Sequence, residues 1–259
     1  MAFVLVIMPA IGFSEELKIR SSVQMSPAKV ADTFLLPLSE AEKQLTGNAK
    51  ALAALKQANA VKLKNEYLQD GDVKKLYTAL NIVGEAIKLD SGRYQYWVTL
   101  GSIHSELARF NIPRSNEYAQ VSFRQALDLA PNDAPIMILL AVNLAKTGEY
   151  EEALDYFEKA VTTNILMLSA NVARWMNICY LADAHTERGV IFYKNIQKNH
   201  PEYYYLNLYQ AVLYNAHFDY DSARRELMQL LKRDDADRKT KEIAQKLLRE
   251  MEKKGGKNS

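Results

Sequence analysis

Five carboxylates, Glu149, Glu151, Glu152, Asp155 and Glu158, crowd into the stretch GEYEEALDYFEKAV at residues 148–161. Such a group is either an acidic reaction centre or the solvated side of a helix whose other side is buried. At 3.6 residues per turn, Tyr150, Ala153, Leu154, Phe157, Ala160 and Val161 form one apolar stripe, and the acids fall mostly outside it. Glu149, Glu151 and Glu152 also sit in the first turn, where negative charge complements a helix N-terminus. The solvated face is the expected reading. The four histidines, His104, His185, His200 and His217, include no pair at i, i+4 and no HExxH, the arrangement a catalytic zinc draws on most easily, so no metal is expected. Cys179, the single cysteine, lies in an apolar helical stretch and is expected to pack as a small hydrophobe with no internal disulfide. GxxxxGK[ST], GxGxxG and GxSxG are all missing from the sequence, so neither a phosphate cradle nor a cofactor is expected. No catalytic residue stands out, and the chain is not expected to be an enzyme.

Composition narrows the classes further. The 259 residues are 48% hydrophobic and 25% charged, which suits a globular chain with a real core. With 33 basic against 31 acidic side chains, a net charge of +2 provides no strong field toward nucleic acid. The aromatic run HPEYYYLNLYQAVLY lacks interleaved Lys or Arg, so its rings are expected to pack rather than stack on bases. At the start, AFVLVIMPAIGF is too short for a membrane span of about 20 residues. It fits the apolar region of a secretory signal, with Gly12 and Ser14 at the −3 and −1 sites of a cleavage after Ser14, although no Lys or Arg precedes it. Residues 1–14 are therefore expected to be a signal peptide, placing the protein in the periplasm or envelope. The alternative is a cytoplasmic protein with this segment folded into it.

The helices repeat. Ala119, Phe123, Ala126 and Pro131 stand at relative positions 0, 4, 7 and 12, and Ala153, Phe157, Ala160 and Ile165 restate them 34 residues later. Gly189, Tyr193, Ile196 and Pro201, then Ala223, Leu227, Leu230 and Asp235, give two further copies, again 34 residues apart. Ala79, Val83, Ala86 and Ser91 form an upstream one. Each of these is the second helix of a pair. The first helices carry Trp97, Leu100, Gly101 and His104, then Met137, Leu140, Ala141 and Leu144, then Asn207, Gln210, Ala211 and Tyr214. Together these positions resemble the tetratricopeptide repeat.

The resemblance implies an all-α fold, a right-handed α-solenoid of helix-turn-helix tetratricopeptide repeats. About five repeats are expected over residues 60–236, the first irregular, with a capping helix at 237–254 led by Ile243, Leu247 and Leu248 and a disordered tail at 255–259. Residues 15–59 are expected to form a linker and helices leading into the array. Departures from the pattern are the irregular stretch between Gly71 and Ala79, the long loop around Pro113, and two residues inserted before the copy containing Trp175. His104 stands where the pattern usually has Tyr, so it is expected to be packed.

In this family the second, fifth, ninth and twelfth positions of each repeat line a concave groove. Here they are Gln95, Val98, Ser102 and Ser105; Pro135, Ile138, Val142 and Ala145; Asn171, Arg174, Ile178 and Leu181; and Tyr205, Leu208, Val212 and Asn215. The set is largely apolar with one central cation, Arg174, which does not suit the carboxylate clamp of co-chaperone members. It implies a non-catalytic scaffold that binds an apolar or amphipathic segment of a partner polypeptide. Terminal repeat faces can stack, so self-association is a further expectation. The competing readings are a groove filled by the chain's own N-terminal helices, and a helical-domain enzyme or ligand-binding protein built on His104 and pocket acids.

Overall fold

The computed structural model describes residues 40–45 and 47–255. The signal peptide with its cleavage after Ser14, the linker up to residue 39, and residues 256–259 of the tail lie outside the described residues. Among the described residues the chain is all-α. Its helices are α1 (Glu40–Gln44), α2 (Ala49–Asp70), α3 (Val73–Leu89), α4 (Tyr94–Ala108), α5 (Ser115–Leu129), α6 (Ala134–Thr147) and α7 (Tyr150–Thr163). A 3-10 turn (Ile165–Met167) follows, then α8 (Ala170–Ala182), α9 (Thr186–Asn199), α10 (Leu206–Ala216), α11 (Tyr220–Leu231) and α12 (Arg238–Gly255). No described helix is long and apolar enough to cross a membrane.

Five of the described helix starts follow a local rule. A short polar side chain stands before the first turn and accepts a hydrogen bond from the backbone N–H three residues on. Asn48 does so from Ala51, Asp133 from Ile136, Ser169 from Val172, Asp219 from Ser222 and Asp237 from Thr240. Each satisfies one of the amides that a helix leaves unpaired at its start, worth about 1 kcal/mol.

Two compact units emerge, one of residues 40–147 and 158–164, the other of residues 148–157 and 165–255. Helix α7 is divided between them, and its stripe of Ala153, Leu154, Phe157, Ala160 and Val161 is buried as the spacing predicts. In the first unit α2 packs on α3, and α4 packs on α3, α5 and α6. A core of Ala53, Ala60, Leu76, Ala79, Val83, Ile103 and Leu107 joins α2, α3 and α4. Residues 59 and 60 lie inside α2, so the helix that opens this first pair begins at Ala49, before the expected edge of the array. Lys56, 6% exposed, holds it to its neighbours by ion pairs to Glu42 at 3.0 Å and Glu85 at 2.6 Å.

In the second unit α10 packs on α8, α9 and α11, and α11 packs on α12. The cluster of Leu208, Ala211, Val212, Leu227 and Leu230 is closed by Ala244, Leu247 and Leu248 of α12, with Ile243 partly buried beside them. Burying each leucine contributes roughly 1.5–3 kcal/mol. Three turns between paired helices carry a left-handed residue: Gly148 (φ +90°), Ala184 (φ +56°) and Phe218 (φ +63°). Only the first is glycine.

Candidate functional site

In the first unit the predicted groove positions fall on α4 and α6. Gln95 is exposed, and Val98, Ser102, Ile138 and Val142 are half-buried. The two helices are tied together at the end of this face. Asn143, 1% exposed, donates from Nδ2 to Ser105 Oγ at 3.2 Å and to Asn116 Oδ1 at 3.5 Å. Behind the face Gly101 allows the Phe123 ring to approach so closely that a Cβ there would lie 2.7 Å from it. The long loop after α4 carries two left-handed non-glycine residues, Asn111 and Arg114, and borders an open cleft of about 320 Å³ near Asn116, Glu117 and Thr147.

His104 packs against a neighbouring ring. Its ring lies 5.2 Å from that of Tyr118, and burial alone pushes its pKa down to about 4, so it is neutral at physiological pH. No carboxylate contributes to that shift. Cys179 is buried, and burial together with the Asp183 charge pushes its thiol up to about 12, far from the reactive range.

In the second unit Asn171 is exposed, while Arg174, Ile178, Leu181 and Tyr205 are half-buried. Arg174 donates to Asn171 Oδ1 at 2.8 Å. Leu208, Val212 and Asn215, read from the sequence as groove positions, are 4%, 7% and 6% exposed. The physical reason is that Leu208 and Val212 belong to the cluster that α12 closes, so the apolar surface of α10 is already used within the chain.

Sequence reasoning took the tyrosine run as packing and missed what its hydroxyls do. Tyr203 donates to the carbonyl of Ile165 at 3.2 Å, Tyr205 to Leu168 at 2.9 Å and Tyr209 to Ala170 at 2.8 Å. Three hydroxyls thus hold the segment that runs from the 3-10 turn to the start of α8, where the extra residues enter. Burial raises the pKa of Tyr205 above its usual range and pushes Tyr209 up to about 12, so both stay protonated donors. Asn177 was also missed. It stands where other first helices carry Gly101, Ala141 and Ala211, and it donates to the backbone carbonyl of Tyr209 at 3.1 Å.

The acids of the opening run lie on the surface, and some are engaged. Glu151 pairs with His185, and Arg188 donates to Glu151 Oε1 at 3.1 Å and Asp155 Oδ1 at 2.7 Å. Asp183 stands beside this pair. Nothing in the sequence pointed to the grouping, because Glu151 and His185 come from different repeats.

A family model for the tetratricopeptide repeat matches residues 134–164. Among solved structures, a MamA protein aligns with a TM-score of 0.56 at 14% identity, over 72% of this chain and 92% of that one. YrrB, described as a tetratricopeptide-repeat protein with an unusual peptide-binding site, gives 0.53 at 17% identity over 80% and 98%. PilF of Pseudomonas aeruginosa gives 0.50 at 16% identity over 70% and 77%. Curated protein sequences give no match. At these identities the likeness to the solved structures is one of fold.

Proposed function

We propose that the chain, which matches the tetratricopeptide repeat over residues 134–164 and shares the fold of YrrB, is a non-catalytic scaffold that holds a partner polypeptide against the first-helix faces of its helix pairs. The observation that carries the proposal is the half-buried apolar set Val98, Ile138 and Val142 on α4 and α6, flanked by the polar Gln95 and Ser102. Apolar side chains left partly in water on a rigid pair of helices gain by covering them with a partner's apolar side chains, and the polar rim sets register. The peptide-binding site reported for YrrB supports the same use of the fold. In the second unit Ile178 and Tyr205, with Arg174, offer a similar mixture of apolar surface and one cation.

The test is a displayed library of amphipathic peptides selected on the full chain, with affinities measured by calorimetry. Joint substitution Ile138→Asp and Val142→Asp is expected to weaken a selected peptide at least about tenfold. Val121→Asp, on the exposed side of α5, is expected to leave it unchanged. Equal affinity in both variants refutes the assignment. Export to the periplasm or envelope is part of the proposal, supported by the apolar run of residues 2–13. A mature chain starting near Glu15 in the periplasmic fraction is the expected result; an intact chain in the cytosol overturns that part and favours a cytoplasmic scaffold.

A further inference from the structure

We infer that Glu151, Asp183 and His185 form a binding site for a divalent transition-metal cation of the zinc class, separate from the face proposed for polypeptides. One ligand atom from each of the three residues lies within 4.8 Å of the other two. The set is mixed, two carboxylates and an imidazole, which suits Zn²⁺ or Co²⁺ and not Ca²⁺, whose shell of six to eight oxygens it does not supply. Two carboxylate charges also match the charge of the cation.

Local structure prepares the set. Asp183 and His185 flank Ala184, the left-handed residue that turns the chain between α8 and α9. Glu151 enters from the first turn of α7. Arg188 holds Glu151 by Oε1, and the other oxygen, Oε2, faces His185 Nε2. A hydrogen bond on the far oxygen orients a ligating carboxylate, in the manner of the outer groups around metal sites. His200 offers a comparison within the same unit. Its Nδ1 lies 3.1 Å from Glu202 Oε1, yet among the described residues it belongs to no such group of three. A bound cation would fasten the start of α7 to the turn between α8 and α9.

The experiment titrates ZnCl₂ into the full chain, prepared without a polyhistidine tag, at neutral pH by calorimetry. Saturable binding at one ion per chain is expected. His185→Ala and Asp183→Asn are each expected to weaken it at least tenfold, and His200→Ala to leave it unchanged. Far-UV circular dichroism of each variant checks that its helices persist. A Co²⁺ titration adds a readout that folding alone would not move, since absorption bands should appear in the parent and vanish in Asp183→Asn. The inference is overturned by the lack of saturable binding, or by binding that survives unchanged in Asp183→Asn and His185→Ala.

Discussion

Gly189 and Gly84 both lie inside helices, α9 and α3, and the same substitution to alanine should move stability in opposite directions at the two sites. In either helix alanine removes the conformational penalty of glycine, about 0.5–1 kcal/mol. Around Gly84 a Cβ would meet nothing within 4 Å, so Gly84→Ala should stabilise by roughly that amount. At Gly189 it would lie 2.6 Å from Tyr180 Cδ2, 2.7 Å from Leu213 Cδ1 and 2.8 Å from Tyr180 Cγ, inside any carbon–carbon contact. Neither neighbour can withdraw cheaply. Tyr180 and Leu213 are fully buried, and the Tyr180 ring stands edge-on to Tyr193 at 5.8 Å. Tyr193 is in turn anchored by its hydroxyl to the carbonyl of Ala173 at 3.1 Å. Overpacking of this kind costs roughly 1–3 kcal/mol, so with mid-range values Gly189→Ala should lose about 1 kcal/mol net of the helix gain. Urea unfolding followed by far-UV circular dichroism measures both. The midpoint should rise for Gly84→Ala and fall for Gly189→Ala, with the slope unchanged. A Gly189→Ala midpoint at or above that of the parent refutes the packing argument.

Two further outcomes follow from the fold. Phe218 is left-handed at φ +63° and 77% exposed, so Phe218→Gly should raise the thermal midpoint by relieving about 1 kcal/mol of backbone strain, while Gly148→Ala at the matching turn lowers it. Lys56→Met leaves Glu42 and Glu85 without their cation and should cost roughly 2 kcal/mol, less than a fully buried pair because the Glu85 side chain is 43% exposed. Desolvation lowers the Lys56 pKa, but the hydrogen bonds to Glu85 and Glu42 outweigh it and raise the value above 10.5. Its contribution is therefore complete below pH 10.5 and fades as pH climbs through the raised folded value. Stability measured against alkaline pH should show that limb in the parent and not in Lys56→Met.

Much of the fold was legible because a buried helix stripe constrains residue type at fixed spacing. Ala153, Phe157 and Ala160 are buried where the period places them, as are Ala119, Phe123 and Ala126. The site was less legible, since exposure depends on what else in the chain covers a position. Leu208 and Val212 occupy groove positions by counting, yet α12 closes the cluster that contains them, and no spacing within α10 announces that. The tyrosine staples were hidden for a similar reason. A tyrosine reads as apolar in a pattern, and whether its hydroxyl meets a carbonyl depends on an irregular turn 37 or 38 residues away. The grouping of Glu151 with Asp183 and His185 joins parts of two repeats, and a search for ligands three or four apart on one helix passes it by.

A repeat model matches residues 134–164, while the solved tetratricopeptide-repeat structure of YrrB aligns with most of the chain. That segment keeps a small residue at Ala141, glycine at the left-handed turn Gly148, and Ala153 with Phe157 in the second helix. Elsewhere the same interfaces are filled by trading volume between partners. In one pair Gly101, at the position of Ala141, admits the ring of Phe123; in another Gly189, at the position of Ala153, admits the ring of Tyr180. Asn177 replaces the small first-helix residue and bonds a carbonyl of α10. What repeats is the space between two helices and the polar groups satisfied inside it. A comparison by residue type loses that quantity wherever the trade runs the other way, and a comparison by backbone retains it.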